Sequence, residues 1–168
     1  MHTTIEKSVD VAVPVSTAYN QWTQFESFPH FMEGVEEVQQ ITDTRTHWRT
    51  KIAGVQREFD AEITEQHPEE RIAWRTIDGP YQAGVVTFHR LDDQHTRVML
   101  QLEYHPDSLV EKAGTALGVV QRRVEGDLER FKQFIESRGQ ETGAWRGEVP
   151  RRPQQGERQD PLTGGPGT

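Results

Sequence analysis

The chain has no cysteine. That excludes a disulfide framework, thiolate catalysis and any zinc site built on sulfur, so the fold has to rest on packing. It also lacks any run of about 18 apolar residues, and the opening residues Met1 to Glu6 show neither the basic nor the apolar region of a secretory signal. A soluble, cytoplasmic protein is expected. A surplus of positive charge is missing too: the net charge of -8 opposes nonspecific attraction to nucleic acid or anionic lipid, which requires clustered Lys and Arg. No glycine cluster forms a phosphate cradle between a strand and a helix, and no serine stands in a nucleophile elbow. The adjacent pairs Glu36-Glu37 and Asp92-Asp93 point to opposite faces in a strand and into water in a turn, which removes both as acid-base dyads. His30, His47, His67, His89, His95 and His105 show no paired ligand spacing with a nearby carboxylate, so neither a metal nor any other cofactor is expected. His89 shares a strand face with Val85, Thr87 and Leu91 and reads as a hydrogen-bonded structural residue.

What is present is periodicity. From Ser108 to Arg138, Val110, Ala113, Leu117, Val120, Val124, Leu128, Phe131 and Ile135 fall three or four apart and form one apolar stripe. Ser108 with Glu111 makes a capping box, and Gly139 supplies a left-handed stop. Roughly thirty residues at about 1.5 Å each make a rod of about 45 Å, which only a sheet remains to cover. Gly114, Gly118 and Gly126 each cost about 1 kcal/mol in a helix interior, so they serve either a close approach to that sheet or a looser first part of the helix.

Upstream, Ile5, Val9, Val11 and Val13 alternate with polar residues as a half-buried first strand, with Lys7 interrupting its inner face. Pro14 and Ser16 open a short helix that Pro29 ends at Phe28, and a second helical turn follows over Pro29 to Met32. Six strands are expected next: Val35 to Thr42, Thr46 to Ala53, Val55 to Gln66, Arg71 to Ile77, Ala83 to Leu91 and Thr96 to His105. Turn residues every 8 to 12 positions or so make this an antiparallel meander. After Gly139 the texture changes, since half of the 14 glycines and four of the nine prolines lie in the last thirty residues. Residues 1–139 are therefore one domain, and 140–168 a disordered or loosely docked Gly/Pro-rich tail. Its lone large aromatic, Trp145, docks either on the body or on a protein partner.

The aromatic supply is large near the first helices and on the sheet. Trp22 and Phe31 belong to the helical segment, and Trp48, Phe59, Trp74, Phe88 and Tyr104 alternate along strands. Such rigid rings either fill a core or wall an apolar cavity between sheet and helix. Arg57 has the parity of Val55, Phe59, Ala61 and Ile63, so its guanidinium either snorkels at the sheet margin or faces the cavity and orients a polar ligand end.

The order of elements, with the stretches Val11-Ala-Val-Pro-Val-Ser-Thr-Ala-Tyr19, Trp22-Thr-Gln-Phe-Glu-Ser-Phe-Pro29, Phe28-Pro-His-Phe-Met32 and Asp127-Leu-Glu-Arg-Phe-Lys132, resembles the SRPBCC superfamily. This group takes in START domains, birch-pollen-allergen-like proteins, polyketide cyclases and coenzyme-Q-binding-type proteins. The resemblance covers Ile5 to Gly139 and implies an α+β helix-grip fold: a seven-stranded curved antiparallel sheet, two short helices after strand 1 and a long C-terminal helix. It also implies a cavity between sheet and helix that holds a lipid, quinone or polyketide-like molecule, with Arg57 as a counterpart of the cyclase arginine. The cyclase hydroxyl position aligns near Val35, where this chain has none. A carrier or sensor of a small hydrophobic molecule is therefore the first expectation, lined by Trp22, Phe31, Trp48, Arg57, Phe59, Trp74, Phe88 and Tyr104. A polyketide aromatase/cyclase or dehydratase is the second, and a protein-interaction module using the tail the third.

Overall fold

A computed structural model describes residues 3–52, 54–78, 81–104 and 116–151. In chain order the elements are β1 (Thr3–Val11), α1 (Val15–Trp22), a 3-10 helix (Phe25–His30), β2 (Val35–Thr42), β3 (Arg45–Ile52), β4 (Val55–His67), β5 (Arg71–Asp78), β6 (Gln82–Asp92), β7 (His95–Tyr104) and α2 (Ala116–Arg138). The strands form one seven-stranded antiparallel sheet in the order β1-β7-β6-β5-β4-β3-β2. This is the helix-grip α+β architecture expected from the sequence. Because β1 and β2 lie at opposite edges, α1 and the 3-10 helix carry the chain across one end of the sheet. The proposed cap at Ser108 and Glu111, the stripe positions Val110 and Ala113, Gly114 and everything past Arg151 lie outside the described residues.

Alternation sorts each strand into two faces. On β7 the side chains of Thr96, Val98, Leu100, Leu102 and Tyr104 are buried and those between them are half-buried or exposed. Against this concave face lies α2, whose Val120, Val124, Leu128, Phe131 and Ile135 are all buried. Each such side chain stabilises the fold by about 1.5–3 kcal/mol. Lys7, the break in the inner face of β1, reaches Glu125 of α2 at 2.7 Å and so keeps its charge paired beside the core. Gly139 closes α2 with φ of 77°, its N–H donating to the Ile135 carbonyl at 2.9 Å.

Two local expectations need correction. The first helix stops at Trp22 rather than Phe28, because the Thr23 hydroxyl and N–H both donate to the Asn20 carbonyl and cut the ladder. The chain resumes as a 3-10 helix containing Pro29, and Phe31 and Met32 then both donate to the Phe28 carbonyl. The glycines of α2 do not bring it close to the sheet either. A Cβ at Gly118 or Gly126 would meet only the arginines one turn on, Arg122 and Arg130.

Residues 140–151 run back over the body. Thr142 exchanges hydrogen bonds with the Gln21 amide, the Trp145 N–H donates to Thr23 Oγ1 at 3.0 Å, and Val149 forms an antiparallel bridge with Gln66. Arg146 donates to Asn20 Oδ1 and to both carboxylate oxygens of Glu69, and its guanidinium lies over the Tyr19 ring. The polar residues Asn20, Gln21 and Thr23 are buried on α1, and this strap supplies their partners.

Candidate functional site: an apolar hollow beneath the long helix

The sheet and α2 do not close completely. Between them is a hollow of about 120 Å³. Its roof is Val120, Val124 and Leu128 of α2, and its floor is Ile63, Ile72, Val86, Leu100 and Leu102. One wall is aromatic, from Trp22, Phe25, Phe28, Trp48, Phe59 and Trp74. An engineered cavity of about 150 Å³ admits benzene, so this one is sized for a single ring.

Cross-strand pairing explains the wall. Trp48 of β3 stands directly opposite Phe59 of β4, and the rings stack with centroids 6.1 Å apart and planes 7° from parallel. The Trp48 indole donates to Thr46 Oγ1 at 2.7 Å, which fixes its tilt. Trp74 of β5 faces Gly84 of β6, and a Cβ on that glycine would sit 2.5 Å from the indole. Only glycine leaves the room that the ring occupies.

At one end of the lining Met32, Gly34, Val35 and Ile52 meet Arg123 and Asp127 of α2, the charged residues among the lining. Asp127 Oδ1 accepts from the Glu33 N–H at 3.1 Å and from Arg130 Nη2. Burial pushes the Asp127 carboxyl above its ordinary value, against the pull of those two bonds and of Arg123. Glu33 lies 3.8 Å from Arg123 and 3.7 Å from Arg130, so two cations and two carboxylates cluster here. Gly34 makes space for the Arg123 guanidinium, since a Cβ there would lie 3.1 Å from Nη1. Among the described residues, Arg123 Nε and Trp22 Nε1 are buried without a hydrogen-bond partner.

Of the eight residues expected at the site, Trp22, Trp48, Phe59 and Trp74 line the hollow together. Phe31 lies behind the wall, packed on Phe131 with centroids 5.2 Å apart. Phe88 packs edge-on against Tyr19 at 5.4 Å. Tyr104 is fully buried at the end of β7, and burial raises its hydroxyl pKa. Arg57 pairs across from Thr50, itself a lining residue, but the guanidinium is not part of the lining. Sequence reasoning missed Arg123 and Asp127. Their signal was an oppositely charged i,i+4 pair placed immediately before Val124 and Leu128 of the stripe.

A family model described as polyketide cyclase / dehydrase and lipid transport matches residues 11–133. The chain belongs to this family. A curated relative is 67% identical over 146 residues, covering 86% of this chain and 97% of its own: an uncharacterised 17.2 kDa protein in the melC2–rnhH intergenic region of Streptomyces lincolnensis. Among solved structures, the Zhui aromatase/cyclase from Streptomyces sp. R1128 superposes with a TM-score of 0.70 at 18% identity, covering 86% of this chain and 100% of that one. A START superfamily protein from Mycobacterium smegmatis does so with a TM-score of 0.64 at 16% identity, covering 82% and 97%. At such identities these two establish the shared fold. No described helix is long and apolar enough to cross a membrane.

Proposed function

We propose that the protein binds a small hydrophobic molecule in the hollow between sheet and α2 and acts as its carrier or sensor. The observation that carries this reading is the hollow itself, walled by six aromatic side chains and floored by aliphatic ones, with Arg123 and Asp127 as the charged residues of its lining. Burying an apolar guest there removes its surface from water at about 25 cal/mol per Å² without displacing any protein hydrogen bond. Three tryptophans line the space, so occupancy should change intrinsic fluorescence. Titration with a panel of fatty acids, quinones and single-ring aromatics is expected to quench or shift the emission and to raise the melting temperature, by mass action on the folded state. A panel that produces neither effect overturns the reading.

A second reading, an aromatase/cyclase or dehydratase, is favoured by one observation: Asp127 is a desolvated carboxyl in the lining with a raised pKa, which suits a group that holds and returns a proton. Incubation with a reactive poly-β-ketone tests it. Identical product profiles from the wild type, Asp127→Asn and Arg57→Ala would reject it.

A further inference from the structure

The polar groups of the lining are not balanced between donors and acceptors. Thr46 already accepts from Trp48 and reaches the Ala61 carbonyl, and Asp127 already accepts from Glu33 and Arg130. Thr50 and Gln82 also line the space, and each can either donate or accept. Two of the lining residues, Trp22 and Arg123, each carry a buried nitrogen unmet among the described residues, Nε1 and Nε respectively, and both can only donate. A guest that supplies an acceptor relieves a buried unmet donor, whereas a guest that brings another donor does not.

Charge narrows the choice further. Arg123 and Arg130 already face Glu33 and Asp127, so a guest carboxylate reaching Arg123 would join a cluster whose charges are balanced and would meet two carboxylates there. A neutral oxygen acceptor meets no such repulsion. Size sets the remaining limit, because about 120 Å³, somewhat below the roughly 150 Å³ that admits benzene, allows at most one ring with a short substituent and no extended chain.

We propose that the hollow is a site for an uncharged, single-ring aromatic carbonyl compound, with Arg123 as the residue that selects its oxygen and Trp22 as the second donor. This rests on the ligand-binding reading above and specifies the guest. Arg123 selects through hydrogen bonding from a side chain whose stem lies along Gly34, rather than through net charge.

The test compares acetophenone with α-methylstyrene, which has the same shape with a methylene in place of the oxygen, and with benzoate. Binding is followed by calorimetry and by the indole N–H resonances of 15N-labelled full-length protein. Acetophenone is expected to bind about tenfold more tightly than α-methylstyrene, as one good hydrogen bond in a dry site allows, and to move the Trp22 indole N–H downfield. In Arg123→Met, which keeps an unbranched stem and removes the donors, most of that advantage disappears while α-methylstyrene binds as before. Equal affinity for acetophenone and α-methylstyrene, or tightest binding by benzoate, overturns this proposal while leaving the ligand-binding reading standing. If single-ring compounds, quinones and fatty acids all fail to bind, the parent reading falls with it.

Discussion

Gly84 leaves the room in which the Trp74 ring, part of the aromatic wall, is seated. Because a Cβ there would collide with the indole of Trp74, any substitution drives that ring toward the space beneath α2. Gly84→Val is expected to destabilise the fold by about 1–3 kcal/mol through overpacking. It should also abolish ligand-induced fluorescence changes, and chemical denaturation with a parallel titration checks both. On the outer face of the sheet, His47 in its protonated form donates through Nδ1 to Asp60 at 2.6 Å and through Nε2 to Glu58 at 3.1 Å, with Arg45 also 3.6 Å from Asp60. The hydrogen bond to Asp60, then the one to Glu58, raise its pKa above the ordinary 6.5. A histidine whose folded pKa is raised contributes stability that is complete below its unfolded value. That contribution is lost as pH climbs through the folded value. Melting temperature should therefore decline from about pH 6.5 upward, and His47→Gln should flatten this part of the profile. An unchanged slope in the variant would show that another group is responsible.

Among the elements, the strap of residues 140–151 has the least visible sequence signal and a clear structural task. It satisfies Asn20, Gln21 and Thr23 on α1, pairs with Gln66 on β4 and holds Glu69, which adopts a left-handed φ of 62°, through Arg146. Gln66 in turn donates to the Tyr19 hydroxyl, so α1 and the end of β4 are joined through the strap and through each other. Since α1 also carries Trp22 into the wall of the hollow, loosening the strap exposes buried polar groups on the element that shapes the site. Trp145→Ala is expected to cost about 1–3 kcal/mol of stability, because it removes a half-buried ring packed on the core. A urea midpoint identical to that of the wild type would show that the ring adds nothing.

At the scale of the whole molecule, the sheet and the long helix were legible because their periods are simple. Val35 to Thr42 was delimited correctly by alternation and turn residues, and the stripe from Val120 to Ile135 by its three-and-four spacing. The break at Thr23 was not legible, since it depends on a hydroxyl winning a helical carbonyl from the next turn. Nor was the lining of the hollow. Parity puts Phe59 and Arg57 on one face of β4, yet of the two only Phe59 lines the hollow. The Trp74–Gly84 contact joins residues on neighbouring strands, and no local pattern announces it. One consequence of the strap concerns geography. Ile52, at the β3–β4 hairpin, lines the hollow beside Gly34 and Val35, whereas the last bridge, Val149 to Gln66, sits eleven residues along β4 from Val55, about 36 Å away at the rise of an extended strand. A dye attached at Arg151 itself is thus anchored near the far end of β4, remote from Ile52, where it can report on the strap while leaving that corner of the hollow uncovered.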